Sequence, residues 1–523
     1  MRFRPDGRCR GVTPSAKSHS RRQSEDRAVH LPENARNCLV RNSIRSSKAQ
    51  KTNLSGLFPD QRIPMTTTRE LVNSAPISRL QIRVLIVCLI ANMAEGYDLL
   101  SISITVVPLA DAWGLTGTQT GLLLAMGPVG MAVGALVLAP LSDRYGRRSQ
   151  LIVSLVTITA FIGLSGAATD VTQLAVFRLL TGIGMGGLLP ILTITIGEFA
   201  PLRRRAAAIS FVSVGFPLGS AAGGAGAALL MASAGWQSAF VLGAVLTLIA
   251  CLLVVAFVPE TPDFLDTKNT PDVKQKRADL LTRMGIDPDE KTETLPSQPS
   301  GSSTSQDRAH DVGFAIRSSQ MGAVALLFLV AITTQYFCSM WLPKLLVLAG
   351  MSPDGGSSGV LLLSLGAAAS GLAIAALSTR FSLFTLITVF AMLSAVLLAV
   401  FSLLSSDLAF ALVVAPILGL CQCATSVSVY ALVPALFSAD NRSAAMGLGI
   451  GISRIGMTLM PLGVGILIDM SWTPEAIFQL MIIPTLISVA LAYYLWRSSR
   501  SAAVGRSWKA AAATSPASSD MSA

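Results

Sequence analysis

The stretch Asn92-Met93-Ala94-Glu95-Gly96-Tyr97-Asp98 places two carboxylates in the middle of an apolar run that extends from about residue 84 to residue 108. Positions three apart on a helix face the same way, so Glu95 and Asp98 share one side. About 20 apolar residues suffice to cross a bilayer, and a charge at the centre of such a helix costs at least ~2.5 kcal/mol. Charges kept at that cost are usually functional, so we interpret the pair as a proton or substrate site. The alternative is a packing pair that neighbouring polar groups satisfy.

The whole chain has the composition of a membrane protein. Of its 523 residues, 52% are hydrophobic and 13% are charged, whereas soluble domains carry about 25% charged residues. The net charge of +11 does not indicate a nucleic-acid partner, because residues 1–64 hold fourteen Lys or Arg against five Asp or Glu. The basic excess therefore lies mainly in an N-terminal tail. The rest of the chain is expected to be embedded in a lipid bilayer.

Apolar segments long enough to span a membrane recur between short polar breaks. We count twelve, near 84–108, 118–141, 149–168, 172–197, 206–232, 237–258, 320–346, 357–379, 382–404, 407–436, 443–468 and 475–496. Breaks rich in Lys and Arg alternate with breaks that have hardly any. The positive-inside rule then puts both termini in the cytoplasm. We expect an all-α protein with twelve transmembrane helices.

Composition also divides the chain into five parts. Residues 1–80 form a basic tail that we expect to be disordered, since it lacks apolar periodicity. Residues 81–260 form one six-helix bundle and residues 317–497 a second, joined by a cytoplasmic linker at 261–316 that turns rich in Ser, Pro and Gln. Residues 498–523 are expected to be a disordered tail. Within the first tail, 1–64 is interpreted as a mis-called translation start before Met65, or alternatively as a targeting or regulatory segment.

The two predicted bundles echo one another in sequence. Arg205-Ala206-Ala207-Ala208 opens the fifth segment as Arg442-Ser443-Ala444-Ala445 opens the eleventh. Continuing in register sets Gly219 against Gly456, and Pro217 against Arg454. Tandem six-helix halves of this kind are typical of transporters whose binding site lies at the interface of the halves, near the middle of the membrane.

Cysteine and histidine usage argues against a metal site or an enzyme. Five of the seven cysteines lie in apolar segments, where we interpret them as small core residues. The three histidines all fall outside those segments, so an intramembrane hydrolase would lack its usual base. We predict no enzymatic activity, no bound metal and no cofactor other than a proton gradient. A purely sensory receptor stays open as an alternative, although no signalling domain is attached.

The break between the second and third segments reads Ala139-Pro140-Leu141-Ser142-Asp143-Arg144-Tyr145-Gly146-Arg147-Arg148. Such a turn needs Gly146 for close backbone approach, and Asp143 can cap a helix or pair with the neighbouring Arg144, Arg147 and Arg148. A solvated basic loop is the plainer interpretation. The stretch resembles the signature loop of the major facilitator superfamily, with Ala139 in place of the first glycine. That resemblance implies a 6+6 transporter fold and a role for this loop in conformational gating.

Two further stretches in the first half also carry the resemblance. With Trp341-Leu342-Pro343 and Gly451-x-x-Arg454-x-Gly456 in the second half, it covers about residues 80–495. Arg178 followed by a glycine-rich helix face at 182–187 resembles the superfamily's second motif, which makes Arg178 a candidate partner of the carboxylates in proton transfer. A structural arginine held by backbone carbonyls is the alternative. The segment Glu95-Gly96-Tyr97-Asp98 resembles the first-helix motif of the aromatic acid:proton symporter family. Glu95 stands where many members have Asp, so the individual substrate is left open.

An aromatic acid needs a buried cation and apolar walls. Arg454, in the middle of the eleventh segment, is the best cation, unless it is a packing arginine paired to Asp469 or to a carbonyl. Lys344 ranks lower because it lies near the outer end of the seventh segment. The candidate walls are Tyr97, Tyr336, Phe337 and Trp341.

We therefore expect a monomeric carrier that takes up a benzoate-, hydroxybenzoate- or phenylpropionate-like anion together with protons, through Glu95, Asp98 and Arg178. A proton-coupled exporter of drugs or organic anions on the same fold is the main alternative. A sugar carrier is disfavoured because sugars need many amide and hydroxyl partners.

Overall fold

The structure, a computed structural model, describes residues 68–268, 271–286, 319–404, 408–437 and 439–514. Most of the predicted N-terminal tail, the Ser- and Pro-rich part of the linker and the last nine residues lie outside the described ranges. Within these ranges the chain is almost entirely helical, and twelve helical spans are apolar and long enough to cross a membrane. The prediction of an all-α protein with twelve spans is confirmed.

The first six spans form the N-terminal bundle. They are span 1, Arg79–Trp113; span 2, Gly117–Tyr145; span 3, Arg147–Ser165; span 4, Val171–Phe199; span 5, Arg205–Ser213 with Gly215–Ala234; and span 6, Gln237–Phe257. A single 3-10 turn, Leu202–Arg204, separates spans 4 and 5. Capping boxes fix the starts of the first two spans, where Ser78 and Thr116 each exchange hydrogen bonds with a glutamine three residues later.

The last six spans form the C-terminal bundle. They are span 7, Ser319–Leu348; span 8, Pro353–Leu377; span 9, Leu383–Leu404; span 10, Leu408–Leu436; span 11, Ala439–Asp469; and span 12, Pro474–Leu480 with Ile482–Thr514. The last helix therefore runs well past residue 497, the predicted start of a disordered tail. Residues 501–514 are rich in alanine, the best helix former, which explains the difference.

Short helices flank the N-terminal bundle where the sequence indicated only tail and linker. They are Thr68–Ser74, Pro262–Asp266 and Pro271–Arg283. The first is anchored by its side chains, because the Arg69 guanidinium lies 3.2 Å from the Asp263 carboxylate and donates to the Gly197 carbonyl at 3.0 Å. Burial raises the pKa of the Asp263 carboxyl, and the positive charge of Arg69 opposes that shift. Ordered helices thus extend into both regions.

Packing repeats between the bundles as the sequence echo predicts. Span 2 packs on span 4 as span 8 packs on span 10, and span 1 packs on span 5 as span 7 packs on span 11. A Cβ on Gly219 would overlap the Met93 backbone of span 1, and a Cβ on Gly456 would overlap Thr333 of span 7. The two aligned glycines therefore have the same role in each half, because each lets two neighbouring helices approach closely.

The two ends of the helix bundles differ in charge, and we name them accordingly. The basic face carries the loops after the even-numbered spans, including residues 143–148 and 200–205, and the opposite face carries the loops after the odd-numbered spans. At the basic face, the described ion pairs join residues within the N-terminal part, between residues 69 and 277.

Contacts between the two bundles lie instead toward the opposite face. The Asp469 carboxylate, at the end of span 11, accepts hydrogen bonds from the backbone N–H groups of Gly117 and Thr118 at 2.6 and 2.8 Å, and from the Thr118 hydroxyl. It thereby caps the start of span 2 in the other bundle. Farther from that face, the Ser103 hydroxyl of span 1 donates to the carbonyls of Ser339 and Met340 in span 7. The protein is thus closed at the opposite face.

The cap by Asp469 gives a first prediction, that Asp469→Ala weakens closure at the opposite face. Loss of a cap costs about 1 kcal/mol, or about a fivefold change in population. Amide hydrogen exchange in proteoliposomes should therefore speed up in residues 115–121 and in the end of span 11. Asp170→Ala is the matched control, because Asp170 caps span 4 at the same face but within one bundle, on the Gln173 N–H at 2.9 Å. Equal exchange in residues 115–121 of the two variants would contradict a role of Asp469 in closure.

Candidate functional site

Span 5 clamps the part of span 1 that carries the two carboxylates. A Cβ on Gly96 would overlap the Phe216 carbonyl, so the helices touch through backbone at this point. The Ser220 hydroxyl donates to the Gly96 carbonyl at 2.7 Å, and the Asn92 amide donates to the Val212 carbonyl at 2.7 Å. With one side of span 1 held against span 5, the neighbouring carboxylates are directed toward other helices.

Asp98 forms an ion pair with Arg178 of span 4. The Arg178 Nη1 lies 2.9 Å from the Asp98 Oδ1, and Nη2 donates to the Asp98 carbonyl at 3.3 Å. The two side chains are 0% and 1% exposed, and the second carboxylate oxygen has no hydrogen-bond partner among the described residues. A buried pair of this kind gains little net stability but is costly to break. The alternative, in which backbone carbonyls alone hold Arg178, is wrong because the Asp98 carboxylate also binds it.

Glu95 lies one turn before Asp98 and has no such partner. Its side chain is 1% exposed, and neither carboxylate oxygen has a hydrogen-bond partner among the described residues. The charged groups that lie within electrostatic range of Glu95 are Arg454 of span 11 and Asp98. Burial without hydrogen bonds disfavours the ionised form of a carboxyl group. Glu95 and Asp98 thus differ sharply in surroundings although they share a helix face.

Arg454 reaches between the bundles without an anionic hydrogen-bond partner among the described residues. Its Nη1 lies 3.8 Å from the sulfur of Met131 in span 2 and 3.7 Å from that of Met457. The alternative of a pair with Asp469 is wrong, because that carboxylate caps span 2 instead. Sulfur is a weak acceptor for a guanidinium. The positive charge is therefore left for another group to neutralise.

Two tyrosines accompany Arg454, and sequence reasoning found only one of them. Tyr336 of span 7 and Tyr430 of span 10 both lie within electrostatic range of Arg454, and Tyr336 also lies within range of Glu95. The Tyr430 ring packs edge-on against Phe328, with centroids 4.9 Å apart. The structure thus brings Glu95, Tyr336, Tyr430 and Arg454 together from four helices. Tyr430 was missed because nothing in the sequence around it resembles a motif.

The other predicted walls lie among packed helices. The Tyr97 hydroxyl donates to the Ala239 carbonyl of span 6 at 2.6 Å, and its ring packs beside Gly223 and Gly243 in the N-terminal bundle. Phe337 packs edge-on against Phe478, which is a core contact. Trp341 is fully buried, and its Nε1 has no acceptor among the described residues.

Lys344 lies near the opposite face, away from the centre of its span. Its Nζ is 3.9 Å from the Asp111 carboxylate of span 1, whose side chain is 68% exposed. Pairs this exposed contribute little energy. Lys344 thus bridges the bundles at their closed end and does not join Arg454.

The signature loop forms a charge network at the basic face. Gly146 has φ 99°, and a Cβ there would overlap the Glu260 carboxylate, which explains the glycine. Arg147 lies 3.1 Å from Asp143 and 3.2 Å from Glu198, joining spans 2, 3 and 4. The N–H groups that open span 3 are capped by Glu260, which accepts from Arg147 at 2.8 Å and Arg148 at 3.1 Å.

The predicted helix-capping role of Asp143 is therefore wrong, since Glu260 has it and Asp143 only pairs with Arg147. The other two arginines of the loop point outward from this network. Arg148 donates to the Val255 carbonyl at 2.7 Å, and Arg144 lies over the Tyr145 ring. Glu260 belongs to the segment Pro259-Glu260-Thr261-Pro262 that follows span 6. Nothing in the sequence indicated that this carboxylate reaches the start of span 3.

No group of three or more metal-ligating side chains occurs in the part of the chain that the structure describes. The five described cysteines, Cys88, Cys251, Cys338, Cys421 and Cys423, are free thiols, and all but the last are buried. What the site offers is an unpaired guanidinium, a buried carboxyl group without partners and two phenols. That set suits binding of an organic anion coupled to a proton.

Comparisons with known proteins agree with this fold. The chain is 25% identical over 421 residues to the 4-hydroxybenzoate transporter PcaK of Pseudomonas putida, covering 80% of this chain and 93% of that protein. It is 28% identical over 419 residues to the 3-(3-hydroxy-phenyl)propionate transporter of Escherichia coli, covering 79% and 93%. Among solved structures, the inward-open xylose transporter XylE of E. coli superposes with a TM-score of 0.62 at 15% identity, covering 80% and 96%.

The family model of the Major Facilitator Superfamily matches residues 85–418, well over half of the chain. That match includes the signature loop and the Arg178 motif on which the resemblance was based. The relatives and the fold are those of transporters and not of enzymes. The chain belongs to the Major Facilitator Superfamily.

Proposed function

We propose that this transporter takes up an aromatic carboxylate together with protons, by alternating access across the bacterial inner membrane. The observation that carries the proposal is the Arg454 guanidinium, which has no anionic hydrogen-bond partner among the described residues and faces the unpartnered Glu95. A carboxylate substrate supplies the missing counter-charge. The printed names of the two relatives, transporters of hydroxylated aromatic acids, support the substrate class.

Charge balance supplies the coupling step. Glu95 takes up a proton and becomes neutral, and the substrate carboxylate neutralises Arg454. The loaded site then carries no unpaired charge, which lowers the cost of moving it between states exposed to either side of the membrane. Asp98 and Arg178 form the second part of this machinery, a buried ion pair one turn away. Asp98 accepts the proton from Glu95 when Arg178 moves from Asp98 to the Glu95 carboxylate that the proton leaves, so that no charge is left unpaired.

The closed end indicates which side of the membrane the described conformation serves in an uptake cycle. By the positive-inside rule the basic face is cytoplasmic, so both termini lie in the cytoplasm and the closed opposite face lies outside. The described conformation is then the one that releases substrate inward.

We propose that the protein works as a monomer and needs no cofactor beyond the proton gradient. We also propose that the network around Arg147 closes the basic face in the alternate state.

Uptake assays in cells that express the full chain test this function. We expect accumulation of at least one of radiolabelled benzoate, 4-hydroxybenzoate, gentisate or 3-(3-hydroxyphenyl)propionate, and we expect a protonophore to abolish it. Unlabelled benzyl alcohol, which lacks the carboxylate, should not compete. No accumulation of any of them, with the protein verified in the membrane, would contradict the proposal. Protonophore-sensitive accumulation in inverted vesicles would instead indicate export.

A further inference from the structure

Span 10 carries a row of polar side chains that the transport mechanism does not use. Gln422, Ser426 and Tyr430 are spaced by four residues and therefore lie on one helix face. The opposite helix face, with Cys421 and Ala424, packs against Phe390 of span 9 in an apolar cluster. The polar row is thus directed away from the neighbour that buries the other side of span 10.

Two atoms in this row are buried and lack partners. The Gln422 side chain is 4% exposed and the Ser426 side chain 3% exposed, and neither Gln422 Nε2 nor Ser426 Oγ has a hydrogen-bond partner among the described residues. Leaving a buried polar group unpaired is destabilising. Such groups call for a partner that binds there.

Neighbouring hydroxyls on the same helix show that Ser426 is unusual. Thr425 donates to the Cys421 carbonyl at 2.9 Å and Ser428 donates to the Ala424 carbonyl at 2.8 Å, four residues earlier in each case. That bond satisfies a serine or threonine within its own helix. Ser426 stands between these two residues and does not make it, so its hydroxyl is available to a ligand.

The row also ends near the proposed carboxylate site. Val429 and Val433, on either side of Tyr430, belong to the same apolar cluster as Met457, whose sulfur lies 3.7 Å from the Arg454 Nη1. A rise of 1.5 Å per residue places Ser426 about 6 Å and Gln422 about 12 Å from Tyr430 along the helix axis. The first spacing is comparable with the span of a substituted benzene ring. A ring whose carboxylate binds Arg454 can therefore present a substituent to Ser426 and Gln422.

We propose that Gln422 and Ser426 form a subsite for a ring hydroxyl group, so that the carrier prefers hydroxylated aromatic acids to unsubstituted ones. This inference rests on the proposed function, because it assumes that Arg454 binds the carboxylate. A ring hydroxyl donates to and accepts from the two side chains, satisfying both. An unsubstituted ring leaves them unpaired and is rejected for that reason.

The test measures half-saturation concentrations for uptake of benzoate and of the monohydroxybenzoates by the full chain, in the wild type and in three single variants. We expect the wild type to prefer a hydroxybenzoate by about tenfold. Ser426→Ala and Gln422→Leu should each reduce that ratio severalfold, because the hydroxybenzoate loses a hydrogen bond and benzoate no longer leaves that polar group unpaired. Ser428→Ala is the matched control, since its hydroxyl is already bonded within span 10. It should leave the ratio unaltered.

Three results would overturn the subsite. They are equal half-saturation concentrations for benzoate and every hydroxybenzoate in the wild type, an unchanged ratio in both Ser426→Ala and Gln422→Leu, or the same loss of ratio in Ser428→Ala. These outcomes leave the proposed function intact, because an aromatic acid is still transported in each. Absence of any aromatic acid uptake by the wild type would overturn both proposals together, so the two failures are distinguishable.

Discussion

Uptake of the aromatic acid is expected to fall about 30-fold or more when Arg454 is replaced by glutamine. Removing one member of a desolvated charge pair costs roughly 2–5 kcal/mol, and each 1.4 kcal/mol is a factor of ten. Arg454→Lys keeps the positive charge but loses the planar fork that binds a carboxylate through two hydrogen bonds. We expect that variant to transport at an intermediate rate. The measurement is initial uptake at several substrate concentrations, with membrane levels of each variant checked.

Thermal stability of the purified variants separates binding from packing. Among the described residues, the Arg454 guanidinium has hydrogen-bond contacts only with the sulfurs of Met131 and Met457. Replacing it with glutamine removes an unpaired charge from the middle of the membrane, so stability should be unchanged or higher. A packing arginine would behave in the opposite way. Full uptake by Arg454→Gln, together with a lower unfolding temperature, would contradict its assignment as the anion-binding residue.

Protonophore-sensitive accumulation is expected to disappear in both Glu95→Gln and Asp98→Asn, while the two variants differ in stability. Asp98→Asn leaves the Arg178 charge buried without its counter-charge, and breaking such a pair costs about 3–5 kcal/mol. Glu95→Gln breaks no hydrogen bond among the described residues, so its unfolding temperature should stay close to that of the wild type. Uptake into cells with and without a protonophore, and thermal unfolding in detergent, are the two measurements.

A double variant keeps this prediction testable if Asp98→Asn fails to fold. Asp98→Asn combined with Arg178→Gln removes both charges and should recover much of the lost stability without recovering accumulation. Exchange of labelled for unlabelled substrate needs no net proton movement and should persist in Glu95→Gln. Gradient-driven accumulation by the double variant would remove Asp98 and Arg178 from the coupling mechanism.

The sequence was sufficient for the architecture. Twelve apolar segments, each long enough to span a bilayer, leave few alternatives once backbone hydrogen bonds must be satisfied within each helix. The loop around Gly146 and the motif after Arg178 then identified the superfamily. The alignment of Gly219 with Gly456 indicated that the chain consists of two similar halves. These features are local in the chain, which is why they can be read without a structure.

The content of the site could be predicted only in part. The sequence indicated Glu95, Asp98 and Arg454, because charges within apolar segments stand out, and it indicated Arg178 through the resemblance to the superfamily's second motif. It placed Tyr97 and Trp341 beside them, but aromatic residues at helical spacing serve a packed core as well as a binding site. Tyr97 is bonded to span 6 instead. Gln422, Ser426 and Tyr430 carry no charge and match no motif, so they passed unnoticed.

The sequence by itself thus determined the number of spans, their grouping in two halves and the identity of the intramembrane charges, since each of these depends on composition within one segment. Tertiary structure alone decided which charges meet. In the structure, Asp98 pairs with Arg178, and Glu95 lies within electrostatic range of Arg454. Asp469 caps the start of span 2 across the interface between the bundles. Partner choice depends on which helix faces touch, and those contacts join residues up to about 360 positions apart in the chain.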